Sequence, residues 1–349
     1  MENKIIINKA FVNSIQDFKQ YLESLKAKFA TFDLRNEQES ERIHFIEANK
    51  KEVFNNLDKY FFEIWELAKD FKKDDYINSQ KYYQELIIPL IGDAAEINNR
   101  IYRKPLGYSG DYVIMNYIYD YHDGKYLGES SYEKLINNYT CNIPFSSSNI
   151  IRKEFVKEKI LETINKNREA KILSVGSGPM RELLELLRED KIHKKVSFYC
   201  LDLEKRALDH VKEEIAKLEE NKKKLLNIVY LHKNIVDILR NKELIKELSK
   251  QNLIYASGIF DYLKNSTAAR MVKQLFQLLD DNGSILICNA SAENCSHKAY
   301  FELLGEWYMV YRTRQEMLQW TNGFKEKAHI KFYEPSKSCS YLFLDIKKL

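Results

Sequence analysis

The sequence predicts an α/β fold: a parallel five-strand core closed by an antiparallel C-terminal hairpin, with an all-α region before it. Three observations predict it. Apolar residues recur at spacings of three and four up to about Leu90, the period of a helix face. Beyond residue 150, short apolar runs alternate with amphipathic stretches, the rhythm of strand–helix–strand units. The last two apolar runs are separated only by Glu334-Pro335-Ser336, too short for a parallel crossover, so they must pair antiparallel.

In the first region Phe18, Tyr21, Leu22 and Leu25, then Phe54, Leu57, Phe61, Ile64 and Leu67, mark helix faces. No glycine occurs before Gly92, which favours long helices with short links. The segment Arg103-Lys104-Pro105-Leu106-Gly107-Tyr108-Ser109-Gly110-Asp111-Tyr112 concentrates turn formers and reads as a structured loop. The polar stretch Ser146-Ser147-Ser148-Asn149 reads as the cap of a following helix. The boundary is set there, giving a helical cap and substrate domain over 1–149 and a cofactor-binding domain over 150–349. The second part then reads strand Lys171–Val175, a helix with Leu183, Leu184 and Leu187, strand Val196–Leu201, and a helix with Ala207, Val211, Ile215 and Leu218. Strand Asn227–Leu231, helix Val236–Leu248, strand Asn252–Ala256, helix Ala268–Leu279 and strand Ser284–Cys288 follow. Ala328–Tyr333 and Ser340–Ile346 form the closing pair.

Bulk properties narrow the function. A length of 349 residues suits two domains. No apolar run reaches bilayer length, and Ile5-Ile6-Ile7 lacks the length and cleavage site of a signal peptide. Five scattered cysteines (Cys141, Cys200, Cys288, Cys295, Cys339) without CxxC spacing read as reduced thiols, so a cytoplasmic protein without a zinc site is expected. With 55 basic against 51 acidic residues there is little long-range attraction for nucleic acid. The one dense basic run, Lys222-Lys223-Lys224, reads as a solvated helix terminus.

Chemistry gathers at the strand ends. Strand one runs into Ser174-Val175-Gly176-Ser177-Gly178-Pro179-Met180, where glycines permit a tight turn and close backbone approach to a ligand. Arg181 stands where a dinucleotide site wants a third glycine, which disfavours a pyrophosphate. Asp202 ends strand two, where a carboxylate bonds both ribose hydroxyls of a nucleoside; a helix N-cap is the other reading of the same residue. Leu203 follows it. After strand three, Asn234-Ile235 meets an adenine or caps the next helix. After strand four come Ser257-Gly258-Ile259-Phe260-Asp261-Tyr262, beneath which a methionine portion belongs.

These features resemble the Rossmann-like class I methyltransferases that use S-adenosylmethionine (SAM) and release S-adenosylhomocysteine (SAH). More narrowly, Lys104–Tyr112, Asn252–Leu263 and Asn289–Thr313, with Trp307-Tyr308 and Tyr311-Arg312-Thr313, resemble the bacterial 3-hydroxy-fatty-acid methyl ester synthases. The resemblance runs from about Ile101 to the C-terminus. It implies cofactor contacts from Ser174, Gly176, Ser177, Gly178, Asp202, Leu203, Asn234, Ile235, Ser257, Gly258 and Phe260. Two departures are Ser174, where many such enzymes have an acid, and Met180 in place of the last glycine.

The expected reaction is methyl transfer to a small molecule, most simply to a carboxylate oxygen, which needs no general base. For a hydroxyl or amine acceptor the bases on offer are His297, Glu293 and Asp261, His297 also reading as an ordinary surface residue. Tyr108, Tyr112, Phe260, Tyr262, Trp307 and Tyr311 either wall an apolar pocket or belong to the core, Tyr108 and Tyr262 being the choices for the pocket. Arg312 either meets a substrate carboxylate or forms an ordinary ion pair. Base methylation is disfavoured: no Asn/Asp-Pro-Pro-aromatic motif follows strand four and no Pro-Cys dipeptide exists. A SAM-binding protein without turnover, a methyltransferase for another metabolite and an aminopropyl transferase are the other readings, the last without an acidic pocket signature for a polyamine.

Overall fold

The structure is a computed structural model that describes residues 7–35, 38–293 and 297–349. Its internal contacts divide the chain into two compact units, Met1–Ser147 with Ser296–Tyr308, and Ser148–Cys295 with Met309–Leu349. Cys295 lies outside the described residues; Cys141, Cys200, Cys288 and Cys339 are buried free thiols. Among the described residues no helix is long and apolar enough to cross a membrane.

The first unit opens with α1 (Lys9–Asp33), α2 (Glu39–Ala68) and α3 (Lys73–Ile87). Asn8 caps α1 by accepting from the amides of Ala10 and Phe11. The three-and-four spacing becomes a buried seam in which Phe18 of α1 meets Phe61 of α2 edge-on, ring centroids 5.2 Å apart. The loop between α4 (Glu96–Arg103) and α5 (Tyr112–His122) is held by its own residues. Asp111 caps α5 through the amides of Val113 and Ile114, and Arg100 Nε donates to both of its carboxylate oxygens at 2.8 Å. Gly110 has φ +72°, and a Cβ there would stand 2.9 Å from Cη2 of Trp307 and closer to Cζ2. Only glycine lets the indole lie on this turn. The distinctive glycine–tyrosine–aspartate loop is thus a packing and capping device. The unit is completed by α6 (Ser131–Asn142) and by residues 297–308, whose Tyr300 hydroxyl bonds Thr140 and Asn98.

The helix α7 (Pro144–Lys166) begins earlier than expected. The polar stretch Ser146–Asn149 lies inside it, because Pro144 has the fixed φ and missing N–H that suit a first helical position. Its polar side chains are used sideways: Ser148 Oγ accepts from the Ser340 amide at 2.9 Å, and Asn149 Oδ1 from the Tyr341 hydroxyl at 3.1 Å.

The second unit carries β1 (Ala170–Val175), α8 (Arg181–Arg188), β2 (Val196–Asp202), α9 (Lys205–Ala216), β3 (Leu226–His232), β4 (Gln251–Ala256), β5 (Leu279–Ala290), β6 (Ala328–Tyr333) and β7 (Tyr341–Lys348). The seven strands are ordered β3-β2-β1-β4-β5-β7-β6. The first five pair parallel, and β7 runs antiparallel between β5 and β6. The expected Rossmann-like architecture is therefore the observed one. Leu173, Ile254, Ile285, Ile287 and Leu344 form the buried centre with Met271 and Leu275 of the helix Asn265–Leu278. Two local expectations change. The single helix over Val236–Leu248 is a 3-10 turn, Ile235–Leu239, and a short helix, Lys242–Glu247, because Asn241 turns its side chain onto the Leu244 amide and starts a new helix. Strand β5 starts at Leu279, not Ser284, and Lys348 holds the Leu279 carbonyl.

Candidate functional site

The chain reverses direction across the sheet between β1 and β4, and such a switch point leaves a crevice beyond the carboxyl ends of the strands. Around it lie the loops after β1, β2, β3 and β4, all in the second unit.

The β1 loop is shaped by two glycines with positive φ, Gly176 at +69° and Gly178 at +54°. They differ in their surroundings. A Cβ on Gly176 would stand 2.5 Å from Ile259 Cδ1 and nearer still to Cγ1, whereas a Cβ on Gly178 would meet nothing within 4 Å. Gly176 packs the β1 loop against the β4 loop, and Gly178 presents bare backbone to open space. The amides of Gly176 and Ser177 are tied to the Leu201 carbonyl at 2.8 and 3.1 Å. Ser177 Oγ reaches the same carbonyl at 3.2 Å. Met180 is fully buried in the left-handed region at the head of α8, so the missing third glycine is replaced by a core side chain.

Asp202 joins the first two loops. Its Oδ2 accepts from the Gly178 amide and its Oδ1 from the Glu204 amide, each at 2.8 Å. It does not cap α9; Glu204 does, through the Arg206 amide. Burial, the largest influence, raises its pKa above the ordinary aspartate value, against those backbone N–H donors. A carboxylate offers about four acceptor positions, and the backbone N–H groups of Gly178, Glu204 and Leu203 take up part of them. Next to it Leu203 is a large apolar side chain that is 63% exposed. Asn234 accepts from the Val236 amide at 3.0 Å and caps the turn that begins at Ile235. That bond engages Oδ1.

At the end of β4, Ser257 and Gly258 are half-buried. Phe260 is a correction: it is fully buried with its ring tilted against Trp320, centroids 5.4 Å apart, so it belongs to the core because the chain turns inward at the 3-10 segment Phe260–Tyr262. Arg312 is a second correction. It is fully buried, its Nε donates to Asn265 at 2.7 Å, and one terminal nitrogen donates to the Phe260 carbonyl at 2.8 Å and to Asn289 at 2.6 Å. The other bonds the Leu263 carbonyl, and the guanidinium lies 4.9 Å over the Trp320 ring. Its donors are spent on the protein, and it locks the β4 and β5 loops together.

Tyr262 is 46% exposed in the second unit and Tyr108 is 43% exposed in the first. Asp261 is buried and its Oδ1 accepts from the Ala290 amide at 2.6 Å. Burial pushes its carboxyl up to about 6, against the downward pull of the Ala290 N–H and of the Arg152 and Arg312 charges. His297 bonds Asp58 at 2.9 Å within the first unit, and Glu293 is exposed. The helical unit has an open cleft of about 450 Å³ lined by Asp93, Glu96, Arg100, Arg103 and Tyr117, which does not contain Tyr108.

The sequence reading missed three residues at the crevice. Glu182, on the first turn of α8, is buried and accepts from the Tyr255 hydroxyl at 2.7 Å. Tyr255 sits opposite Ser174 in the β1–β4 register. Arg152 of α7 is buried beside Gly258, 4.8 Å over the Tyr341 ring. The available signal was an acid at the first turn of the helix that follows the glycine loop; it reads equally well as a helix-dipole partner.

No family model and no curated protein matches the chain. Among solved structures it is similar to a possible exported protein from Bordetella parapertussis, with TM-score 0.54, 12% identity, and coverage of 68% of this chain and 79% of that one. It is also similar to the N-methyltransferase NodS of Bradyrhizobium japonicum, solved with SAH, at TM-score 0.38 and 11% identity over 56% of this chain and 87% of that one. A third is the magnesium protoporphyrin IX methyltransferase of Synechocystis, also solved with SAH, at TM-score 0.41 and 10% identity over 59% and 86%. At these identities the first likeness speaks to the fold alone, and the other two carry no argument of their own.

Proposed function

We propose that this chain is a SAM-dependent methyltransferase acting on a small molecule, with a carboxylate oxygen as the methyl acceptor. The observation that carries the reading is Asp202, a carboxylate clamped by the Gly178 and Glu204 amides beside a loop with open backbone, with acceptor positions remaining for a ribose diol. Leu203 and Asn234 suit the adenine, Gly176 to Gly178 the ribose and thioether, and Ser257 and Gly258 the methionine end. When bound, SAM supplies an electrophilic methyl on a sulfonium.

The chain's own task is positioning and exclusion of water, since in-line displacement needs aligned partners more than proton transfer. A carboxylate acceptor is already nucleophilic at neutral pH, which agrees with the absence of a base in the reading: Asp261 is engaged with a backbone amide and His297 with Asp58. The exposed ring of Tyr262 suits an apolar acceptor such as a fatty-acid chain, and a cytoplasmic setting suits that substrate. Binding without turnover is the second reading, favoured by the buried Met180 and by Ser174 in place of an acid. Calorimetry with SAM and SAH, followed by transfer of labelled methyl to 3-hydroxy fatty acids and short carboxylates, tests both. Micromolar binding with turnover supports the proposal, binding without turnover across the panel supports the second reading, and no binding refutes both.

A further inference from the structure

We propose that the open cleft of the helical unit is a binding site for a basic amino acid, with Arg100 taking its carboxylate, Glu96 its α-ammonium, and Glu129 and Glu133 its side-chain cation. The assignment is independent of the cofactor reading above. The cleft originates in the sequence of α4. Glu96, Asn99, Arg100 and Arg103 fall at spacings of three and four, so they share one helix face, and all four line the cleft. Ile97, Asn98 and Ile101 fill the buried face of the same helix. Glu129 and Glu133, around the start of α6, stand on the wall with them, and all of these residues belong to the first unit.

Two opposite charges on this face are held apart. A glutamate and an arginine at i and i+4 of a helix are within pairing reach, yet Glu96 and Arg100 each turn to another partner. Glu96 Oε2 accepts from Asn137 Nδ2 at 2.5 Å, and Arg100 Nε donates to both oxygens of the buried Asp111 at 2.8 Å. Asp111 does not line the cleft, whereas Arg100 does. The two terminal nitrogens of Arg100 have no partner among the described residues, although only 20% of the side chain is exposed. A guanidinium fixed along one edge keeps its terminal donors in a set orientation, which suits a carboxylate.

The acids are likewise without a cation. Glu133 Oε2 accepts from the amides of Glu129 and Ser130 at 2.8 and 3.0 Å, which leaves its charge uncancelled. The Glu129 carboxylate has no partner among the described residues. Arg103 is spent on Asp93, its Nη2 donating to Oδ1 at 3.0 Å. One guanidinium and three carboxylates thus line an open space of about 450 Å³, a size that suits a small ligand. A simple anion would meet three like charges there. A simple diamine would leave the Arg100 donors unmade in a mostly buried place, which is costly. Among the described residues no three His, Cys, Asp or Glu side chains are grouped to hold a metal ion, so these acids do not converge on one point. One carboxylate with two separated cations answers both signs, and that is the charge pattern of lysine and ornithine. A merely solvated polar face predicts no discrimination between lysine and analogues that lack one of the three groups.

Calorimetry on the full chain tests this with L-lysine and three probes that each lack one group. Cadaverine lacks the carboxylate, 6-aminohexanoate the α-ammonium and L-norleucine the ε-ammonium. Lysine should bind with millimolar affinity or better, and each deletion should weaken binding about fivefold or more. Glu129→Gln, an exposed change that breaks no side-chain bond, should weaken lysine about threefold and leave norleucine unchanged. Arg100→Lys keeps a cation for Asp111 and should weaken lysine about tenfold while leaving cadaverine unchanged. No binding of lysine or ornithine at about 10 mM overturns the assignment. Equal affinity for lysine and cadaverine, or for lysine and norleucine, overturns it as well. Lysine binding that is untouched in both variants places the ligand outside the cleft, with the same consequence. The four-ligand comparison uses wild type alone, so it decides the matter even where Arg100→Lys does not fold.

Discussion

Replacing Gly176 and Gly178 separately by alanine should give opposite patterns of damage, although only Ser177 separates them and both have positive φ. An L-residue in the left-handed region costs about 1 kcal/mol, a charge common to both variants. For Gly178→Ala that is nearly the whole effect on stability, since its new methyl meets nothing within 4 Å. For Gly176→Ala the methyl would stand 2.5 Å from Ile259 Cδ1 and nearer to Cγ1, and overpacking of this kind costs a further 1–3 kcal/mol, about 3 kcal/mol in total. Denaturant unfolding should therefore separate the variants by about 2 kcal/mol. Ligand affinity should run the other way: the Gly178 methyl points into the space assigned to the ligand, so SAH binding should fall at least about tenfold with stability nearly intact. Ile259→Ala combined with Gly176→Ala should show a coupling of about 1 kcal/mol or more, because Ile259→Ala removes the atoms with which the new methyl clashes. Wild-type SAH affinity in Gly178→Ala would refute the reasoning, and so would equal stabilities of the two variants.

Other outcomes follow from the same geometry. Asp202→Asn should keep the fold yet weaken SAH by about 10- to 100-fold, because a charge-assisted acceptor of hydroxyls is worth about 1.5–3 kcal/mol; unchanged affinity in calorimetry removes the ribose assignment. Arg312→Met should lower stability by about 3 kcal/mol or more, as it strands the Phe260 and Leu263 carbonyls and both side-chain acceptors; a thermal midpoint equal to wild type contradicts its locking role. Asp261 has a folded pKa of about 6 against an ordinary 3.8, so its protonated form fits the fold better. Its contribution is complete below about pH 4 and is lost as pH rises through about 6. Relative to Asp261→Asn, wild type should lose up to about 3 kcal/mol across that window, and a flat difference curve contradicts the assignment. Gly110→Ala should disturb Trp307 fluorescence, since its methyl would occupy the space of the indole; an unchanged spectrum and stability contradict the packing role of the loop.

Much of this organisation is legible in the residues. The apolar runs at Ala170–Val175 and Gln251–Ala256 emerge as strands within a residue or two, because strands buried on both faces leave a continuous apolar signature, and Ala328–Tyr333 emerges as an edge strand with alternating exposure. Glycine positions and Asp202 are legible for a related reason: parallel sheets collect loops at one edge, so strand-end residues share a neighbourhood whatever lies between them. Helix starts were harder to read. Ser146–Asn149 has the composition of a cap, yet Pro144 opens the helix and the polar side chains bond β7, a partner almost two hundred residues along the chain.

By itself the sequence determined the alternation of elements, the antiparallel close of the sheet and the strand ends where a nucleoside is expected, all of which follow from local period and connection length. Only the tertiary structure decided what individual side chains face. Arg312 and Phe260 look like site residues from their neighbours in sequence, but the inward turn after β4 buries both. Glu182 looks like an ordinary first-turn acid until the Tyr255 hydroxyl is brought against it. The physical reason is that burial and hydrogen bonding are set by contacts between distant segments, whereas period and turn chemistry are carried within a few residues.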